Sequence, residues 1–268
     1  MNAHELFQAG RLKDAIAALV EDVRARPTDT GARLLLGELL CFSGDLERAD
    51  NHLDAAGHAD AQALPYVVGL RQLIRAEQAR RDFFREGRLP QFLAPPEGAV
   101  RTLLEASVRV RAGAEAEAME LLDQVEEQRP KVSGSCDGRP FQDLRDLDDL
   151  TSCVLEVLTS DGRYFWVPIA DVVSVEFRAP AMPRDLLWRN VILTVRDGPE
   201  GEVFLPALYE GTEAEADDGL RLGRATEWKG GDGTPVRGVG QRTFLVGDDP
   251  APILEIKALT LDQPGTSA

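Results

Sequence analysis

The histidines are the first side chains in this sequence that could ligate a metal or act as acid–base groups. His4, His52 and His58 all lie within the first 60 residues. His52 and His58 are six positions apart, whereas two ligands on one helix face are typically four apart, as in H-E-x-x-H. The spacing therefore predicts surface histidines rather than a metal site.

The cysteines and the acidic run at 213–218 are equally uninformative about catalysis. Cys41, Cys136 and Cys153 form no C-x-x-C pair, which predicts reduced, packed thiols rather than a disulfide framework or a zinc site. The acidic run lacks the ligand order and the central glycine of a calcium loop. The sequence also lacks a P-loop and a nucleophile elbow. We therefore expect a non-enzymatic protein with no catalytic residue, no metal and no cofactor.

The overall charge excludes further classes of partner. The chain has 268 residues, with 30 basic and 46 acidic side chains and a formal net charge of -16. This charge repels nucleic acids and anionic lipids. The longest uncharged stretch, 61–70, is too short to span a membrane, and the N-terminus has no signal-peptide pattern. The sequence predicts a cytoplasmic protein with neither nucleic acid nor membrane as partner.

The first 130 residues contain an internal repeat, and the fold of this repeat determines where a binding site in this half can lie. Four residues recur 34 positions later: Gly10, Leu12, Ala15 and Leu19 return as Gly44, Leu46, Ala49 and Leu53. This is the tetratricopeptide period, and a further copy of the second helix lies at 113–130. The repeat predicts paired helices that leave an extended groove for peptides or helices. An unrelated helical bundle with coincidental spacing is the alternative.

An arginine-rich stretch, 71–88, is the most basic part of the chain. Its arginines are Arg71, Arg75, Arg80, Arg81, Arg85 and Arg88. Two interpretations are open. The arginines either form internal ion pairs on a solvated helix face or form a docking patch for an acidic partner segment.

The remaining residues have the pattern of a β-rich domain. The Ser- and Gly-rich segment at 131–140 predicts a linker, and 141–150 a short helix. Apolar runs bounded by turn residues predict hairpins within 153–167 and 190–205, with further strands at 225–228, 243–246 and 253–261. The predicted fold has two domains, a TPR-like helical-repeat domain at 1–130 and a small β-rich domain at 151–268. We expect the latter to be a curved sheet or barrel-like.

Several short sequence segments of this second half occur in a distinctive order. Their residues are Trp166, Pro168, Arg184, Asp185, Trp188, Pro206, Tyr209, Arg221, Gly223, Arg224, Trp228, Gln241 and Arg242. In this order they resemble the ImpE family, also called SciE or TagJ. The segments at 37–40 and 87–96 resemble the same family, so the resemblance covers essentially the whole chain.

The resemblance implies an accessory protein of the bacterial type VI secretion system. Such a protein would bind the N-terminal helix of the small contractile-sheath subunit and help engage the AAA+ ATPase that disassembles contracted sheaths. The candidate groove residues are Leu36, Leu40, Phe83 and Phe84. Arginines of the 71–88 stretch would steer the partner, so charge reversal at Arg81 and Arg85 is expected to weaken binding.

A ligand-binding or enzymatic β-rich domain is the alternative function. It would use the polar surface around Arg184, Asp185, Arg221, Arg224 and Arg242. The competing interpretation of these arginines is structural, in pairs with local carboxylates and carbonyl groups.

Overall fold

The computed structural model describes residues 1–262, and its first half is helical. The helices there are α1 (Ala3–Gln8), α2 (Leu12–Ala25), α3 (Thr30–Phe42), α4 (Leu46–Ala59), α5 (Leu64–Glu86), α6 (Gly98–Arg111) and α7 (Glu115–Gln128). The paired helices α1–α2, α3–α4 and α6–α7 confirm the predicted repeat. Among residues 1–262, none of the helices combines the length and apolar character needed to cross a membrane.

Glycine recurs in the repeat because the turn between paired helices needs a left-handed backbone. Gly10, Gly44 and Gly113 have φ angles of +80°, +79° and +71° at these turns. Gly37 has a different role, because a Cβ atom there would stand 2.8 Å from the Leu53 side chain. Its missing side chain lets α3 approach α4 closely.

The second half forms three antiparallel sheets. Its strands are β1 (Gly134–Cys136), β2 (Arg139–Phe141), β3 (Leu144–Asp146), β4 (Val154–Leu158), β5 (Tyr164–Pro168), β6 (Val172–Phe177), β7 (Trp188–Val195), β8 (Glu200–Pro206), β9 (Thr226–Gly231), β10 (Thr234–Gly240), β11 (Thr243–Val246), β12 (Asp249–Pro252) and β13 (Ala258–Leu261), with helix α8 (Asp218–Arg221) before β9. The main sheet has the order β2-β1-β13-β6-β7-β8-β4-β5, and β3 and β12 flank β11 in a smaller one. Strands β9 and β10 form a separate hairpin. Within residues 1–262 the main sheet is open, with β2 and β5 at its two edges.

The predicted hairpins are confirmed, whereas the predicted linker and short helix at 131–150 are wrong. That segment contains β1, β2 and β3, followed by a single 3-10 turn at Asp149–Thr151. Strand β1 pairs with β13, where Gly134 lies opposite Leu261, and β3 pairs with β11. These partners lie far away along the chain, so local composition carries no signal for them. The β1–β2 hairpin does have a local signal, the Asp137-Gly138 turn, where φ is +50° and +78°. Residues 263–268 of the predicted domain lie outside the described residues.

The two halves share one hydrophobic core. Leu39 and Phe83 from the helices belong to the same buried cluster as Trp166 and Trp188 from the sheet. A second cluster lies wholly within the β-rich domain and includes Val191 and Phe244. The helical array and the β-rich domain are therefore packed together as one body, with the larger core running across their boundary.

Candidate partner-binding surface

The β-rich domain covers one side of the helical array. At the start of β7, Trp188 donates from Nε1 to Oε2 of Glu77 on α5 over 3.2 Å. Arg224 reaches α1 and donates to the carbonyl oxygens of Phe7 and Gln8 over 2.9 and 2.7 Å. The 3-10 turn Pro183–Leu186 packs on α3. The side that α1, α3 and α5 share is thus occupied by the chain itself rather than open to a partner helix.

A buried ion network joins α5 to the sheet. Arg80 donates from Nε to Oε1 of Glu156 on β4 over 3.0 Å and from Nη2 to Oε2 over 3.1 Å. Arg242 donates to Asp146 and to the same Glu156. Burial by itself would raise the pKa of Glu156, but Arg80 and Arg242 outweigh it and bring the pKa to about 2. The network is ionised and fully occupied by internal partners, as expected for a structural junction.

The motif aromatics complete this junction. Tyr164 donates its hydroxyl to Glu156 over 2.5 Å, and Trp166 donates from Nε1 to that hydroxyl over 2.6 Å. Tyr209 donates to Oδ1 of Asp146 over 2.9 Å. Each buried polar group of these rings therefore has a partner inside the interface.

Three of the four residues predicted to line an open groove are buried in the described structure. Leu36, Leu40 and Phe83 are at most 1% exposed, so they hold the helices together and have no surface to offer a partner. Phe84 is half-buried, with the guanidinium groups of Arg80 and Arg237 at 5.9 and 5.3 Å from its ring centre. Placing Leu36, Leu40 and Phe83 in an open groove was wrong, because the fold uses their apolar surface in its core.

The structure favours internal pairing for most of the arginine-rich stretch. Arg81 is 6% exposed and donates to Glu77 and to the Gly44 carbonyl oxygen. Arg85 bonds to Glu210 and Glu213 of the β-rich domain. Charge reversal at Arg81 would therefore break the fold, so it is not a clean test of docking.

Four arginines of that stretch keep their side chains at the surface, and two of them, Arg85 and Arg88, are 54% and 67% exposed while they pair with Glu213 and Asp82. Arg71 pairs with Asp50 and Asp54 at 2.7 and 2.6 Å and is 38% exposed. Arg75 is exposed, and no carboxylate of residues 1–262 lies within ion-pair distance of it. A steering role for Arg71, Arg75 and Arg85 stays a prediction.

Most other motif residues also serve the structure. Arg221 pairs with Asp218 at 3.2 Å, and Gln241 donates to the Gly223 carbonyl oxygen over 2.5 Å. Gly223 itself has φ of +65°, and a Cβ there would stand 2.7 Å from Leu208. These contacts support the structural interpretation of the β-domain polar residues.

The proline motifs and Trp228 occupy the margins of the strands. Pro168 ends β5 and Pro206 ends β8, where its carbonyl oxygen accepts from Nε of Arg242. Trp228 lies on the β9–β10 hairpin with 43% of its surface exposed, and its ring packs edge-on to Tyr209. Prolines at strand ends stop pairing, because they lack an N–H donor.

One open and mainly apolar surface is a cleft that we call the loop cleft. It has a volume of about 1050 Å³ and lies between the loop leading into α6, the end of α7, the end of β5 and the β7–β8 turn. Leu93, which is 48% exposed, and the adjacent Pro95 and Pro96 line one wall. Gln91 anchors that wall through hydrogen bonds with the backbone of β5. No sequence pattern indicated this cleft, because four separate segments form it.

A second open surface, the α4–α5 groove, is smaller and more polar. It has a volume of about 500 Å³ and is lined by Val68, Arg71 and Arg75 of α5 together with Asp50 of α4. Val68 is 49% exposed. The groove therefore offers a limited apolar surface next to two cationic side chains.

In residues 1–262 no three His, Cys, Asp or Glu side chains converge in a way that could hold a metal ion. Cys41, Cys136 and Cys153 are all free thiols, and burial raises the pKa of each above its ordinary value. Reactive thiols have a lowered rather than a raised pKa.

Comparison with known proteins gives consistent matches over the whole chain. The family model described as ImpE protein matches residues 138–260, and a tetratricopeptide repeat model matches residues 6–74. The type VI secretion system accessory component TagJ of Pseudomonas aeruginosa is 37% identical over 262 residues, covering 98% of this chain and 92% of that protein. A crystal structure of a Vibrio parahaemolyticus protein matches with a TM-score of 0.90 at 30% identity and covers 98% of each chain.

Proposed function

Because this chain belongs to the ImpE family of type VI secretion accessory proteins, we propose that it is a non-enzymatic adaptor for the contractile sheath. It binds the N-terminal helix of the small sheath subunit in the cytoplasm and helps couple the sheath to its AAA+ disassembly ATPase. The TPR-like helices support this proposal, since such repeats serve protein recognition.

The observation that carries the proposal is the loop cleft. An amphipathic helix binds by placing its apolar face in an apolar groove, and the loop cleft, with a volume of about 1050 Å³, has a mainly apolar lining of this kind. The prolines and the backbone hydrogen bonds between Gln91 and β5 already fix the wall of the cleft. The loop therefore loses little conformational entropy when a partner binds. The covered side of the helical array cannot serve in its place.

We expect Leu93→Asp to weaken binding of a sheath-helix peptide about tenfold to a hundredfold, because a buried leucine side chain contributes about 1.5–3 kcal/mol. Val68→Asp in the α4–α5 groove is the matched control, since Leu93 and Val68 are 48% and 49% exposed. Calorimetric titration of a peptide from the sheath subunit's N-terminal helix measures both variants against the parent chain.

The possible outcomes distinguish where the sheath helix binds from whether the protein is a sheath adaptor at all. If only Val68→Asp weakens binding, the α4–α5 groove is the site and the adaptor role stands. If the parent chain binds neither the peptide nor the whole sheath subunit, the adaptor role is wrong. The same variants in a pull-down of sheath, adaptor and ATPase test the coupling, because only a sheath-binding chain should raise ATPase recovery.

Arg75→Glu tests electrostatic steering by the exposed arginines. If the partner presents an acidic segment to this face, its association rate at low salt should fall about three- to tenfold, while its dissociation rate changes little. Stopped-flow association at two salt concentrations measures this, with Arg24→Glu on α2, an arginine 72% exposed, as the control. Equal loss of rate in both variants would indicate a net-charge effect and remove Arg75 from the site.

A further inference from the structure

A smaller pocket lies where α5 meets the β-rich domain, apart from both surfaces described above. It has a volume of about 340 Å³, and we call it the Arg184 pocket. Leu73 and Phe204 supply apolar walls, Tyr66 lies beside them, and Arg184 and Glu202 bring charge. Arg184 is one of the motif residues shared with the family, but it takes no part in the buried ion network between α5 and the sheet.

The guanidinium group of Arg184 is held in position but is not hydrogen-bonded. It lies over the Tyr66 ring, with its carbon 4.5 Å from the ring centre. Its Nε is buried without a hydrogen-bond partner, and the nearest oxygen of Asp185 is 3.6 Å away. The other Asp185 oxygen accepts from the backbone N–H groups of Ala181 and Met182. The arginine is therefore pre-oriented with donor capacity to spare.

A second arginine with unpaired donors, Arg189, interacts with Asp185 but does not line the pocket. Arg189 is 3% exposed, and its Nε and Nη1 atoms are buried without hydrogen-bond partners. Burial lowers its pKa, and Asp185 offsets this effect only in part. A buried guanidinium without a partner is unfavourable, so this part of the fold is electrostatically suited to an added anion.

We propose that the Arg184 pocket binds the carboxylate of a small apolar ligand. Arg184 donates to the carboxylate, and Arg189 contributes positive charge from behind it. Three carboxyl groups, those of Glu38, Asp185 and Glu202, lie near Arg184 or in the pocket lining, so a phosphate dianion would be repelled more strongly than a singly charged group. A planar carboxylate also matches the donor fork of arginine. This site is independent of the sheath adaptor role.

The test is titration of the full chain with butyrate and with butyramide, which has a similar shape without charge. Butyrate should bind at least about tenfold more tightly, and Arg184→Gln should remove that preference. Arg24→Gln on the exposed surface of α2 is the control and should retain it. Arms with a short apolar peptide, carrying either a free or an amidated C-terminus, distinguish a free acid from a protein terminus as the source.

Arg189→Met keeps the result interpretable if Arg184→Gln perturbs folding. Removing the unpaired buried charge should raise the melting temperature of the ligand-free chain and weaken butyrate binding about threefold or more. The proposal is overturned if butyrate and butyramide bind equally to the parent, or if Arg184→Gln binds butyrate as the parent does. An unchanged melting temperature and unchanged affinity in Arg189→Met would remove Arg189 from the site.

Discussion

Replacing Glu156 with glutamine should destabilise the protein by about 3–5 kcal/mol, the range expected when one partner of a buried ion network is removed. The carboxylate is fully buried and accepts hydrogen bonds from Arg80, Arg242 and Tyr164. A neutral amide leaves two buried guanidinium groups with less negative charge than they need. Urea unfolding of parent and variant at pH 7 measures the difference in free energy.

The pH dependence gives this prediction a second, independent readout. The pKa of Glu156 in the folded protein is about 2, below its ordinary value of 4.5. Its ionised form therefore stabilises the fold fully above pH 4.5, and this contribution is lost as the pH falls toward 2. The difference between parent and Glu156→Gln should shrink over that interval.

A matched control removes the charge of an exposed ion pair in the same way. Glu21 pairs with Arg24 on α2 and is 66% exposed, so Glu21→Gln should change the unfolding free energy by less than about 1 kcal/mol. Equal effects of the two substitutions would contradict the special role of the buried network. So would a Glu156→Gln effect that stays constant from pH 7 to pH 2.

Phe83→Ala should lower the unfolding free energy by about 3–5 kcal/mol and should affect both halves of the protein at once. The ring is 0% exposed, and its centre is 4.7 Å from that of Trp166 and 4.9 Å from that of Phe84. Removing it leaves a cavity in the core that crosses the domain boundary. The helical signal in far-ultraviolet circular dichroism and tryptophan fluorescence from the sheet should therefore report one transition, shifted together.

Val108→Ala on α6 is the control, because Val108 is 51% exposed and its truncation should change stability by less than about 0.5 kcal/mol. Two separate transitions in the parent chain would contradict the continuous core. The continuous core would also be contradicted if Phe83→Ala shifted the unfolding transition seen by circular dichroism but not the one seen by tryptophan fluorescence.

The helical repeat was readable from the sequence because its causes are local. Gly10 and Gly44 recur at turns that require a positive φ, and Leu12 and Leu46 recur at buried positions of the second helices. The β4–β5 and β7–β8 hairpins were readable for the same reason, since their strands are joined by short turns. Periodicity and turn chemistry therefore identified the elements formed by neighbouring residues.

The proposed binding surface cannot be predicted from the sequence, because it depends on contacts between distant segments. Nothing near Arg80 in the sequence indicates that its main partner is Glu156, 76 positions later. The same holds for Phe83, which a helical array alone could expose but which the sheet buries against Trp166. The adjacent Pro95 and Pro96 cannot continue a helix, but the place of their loop in a cleft depends on three other segments.

The coverage of the helical array by the β-rich domain has a practical consequence for partner discovery. A bait made of residues 1–130 alone would uncover apolar surface that contacts the sheet in the intact protein. In a two-hybrid or display screen, such a bait would select amphipathic helices that the full chain has no room to accept. Hits obtained with the whole chain are the ones that report on its partners. Hits unique to the fragment report on apolar surface that the sheet covers in the intact protein.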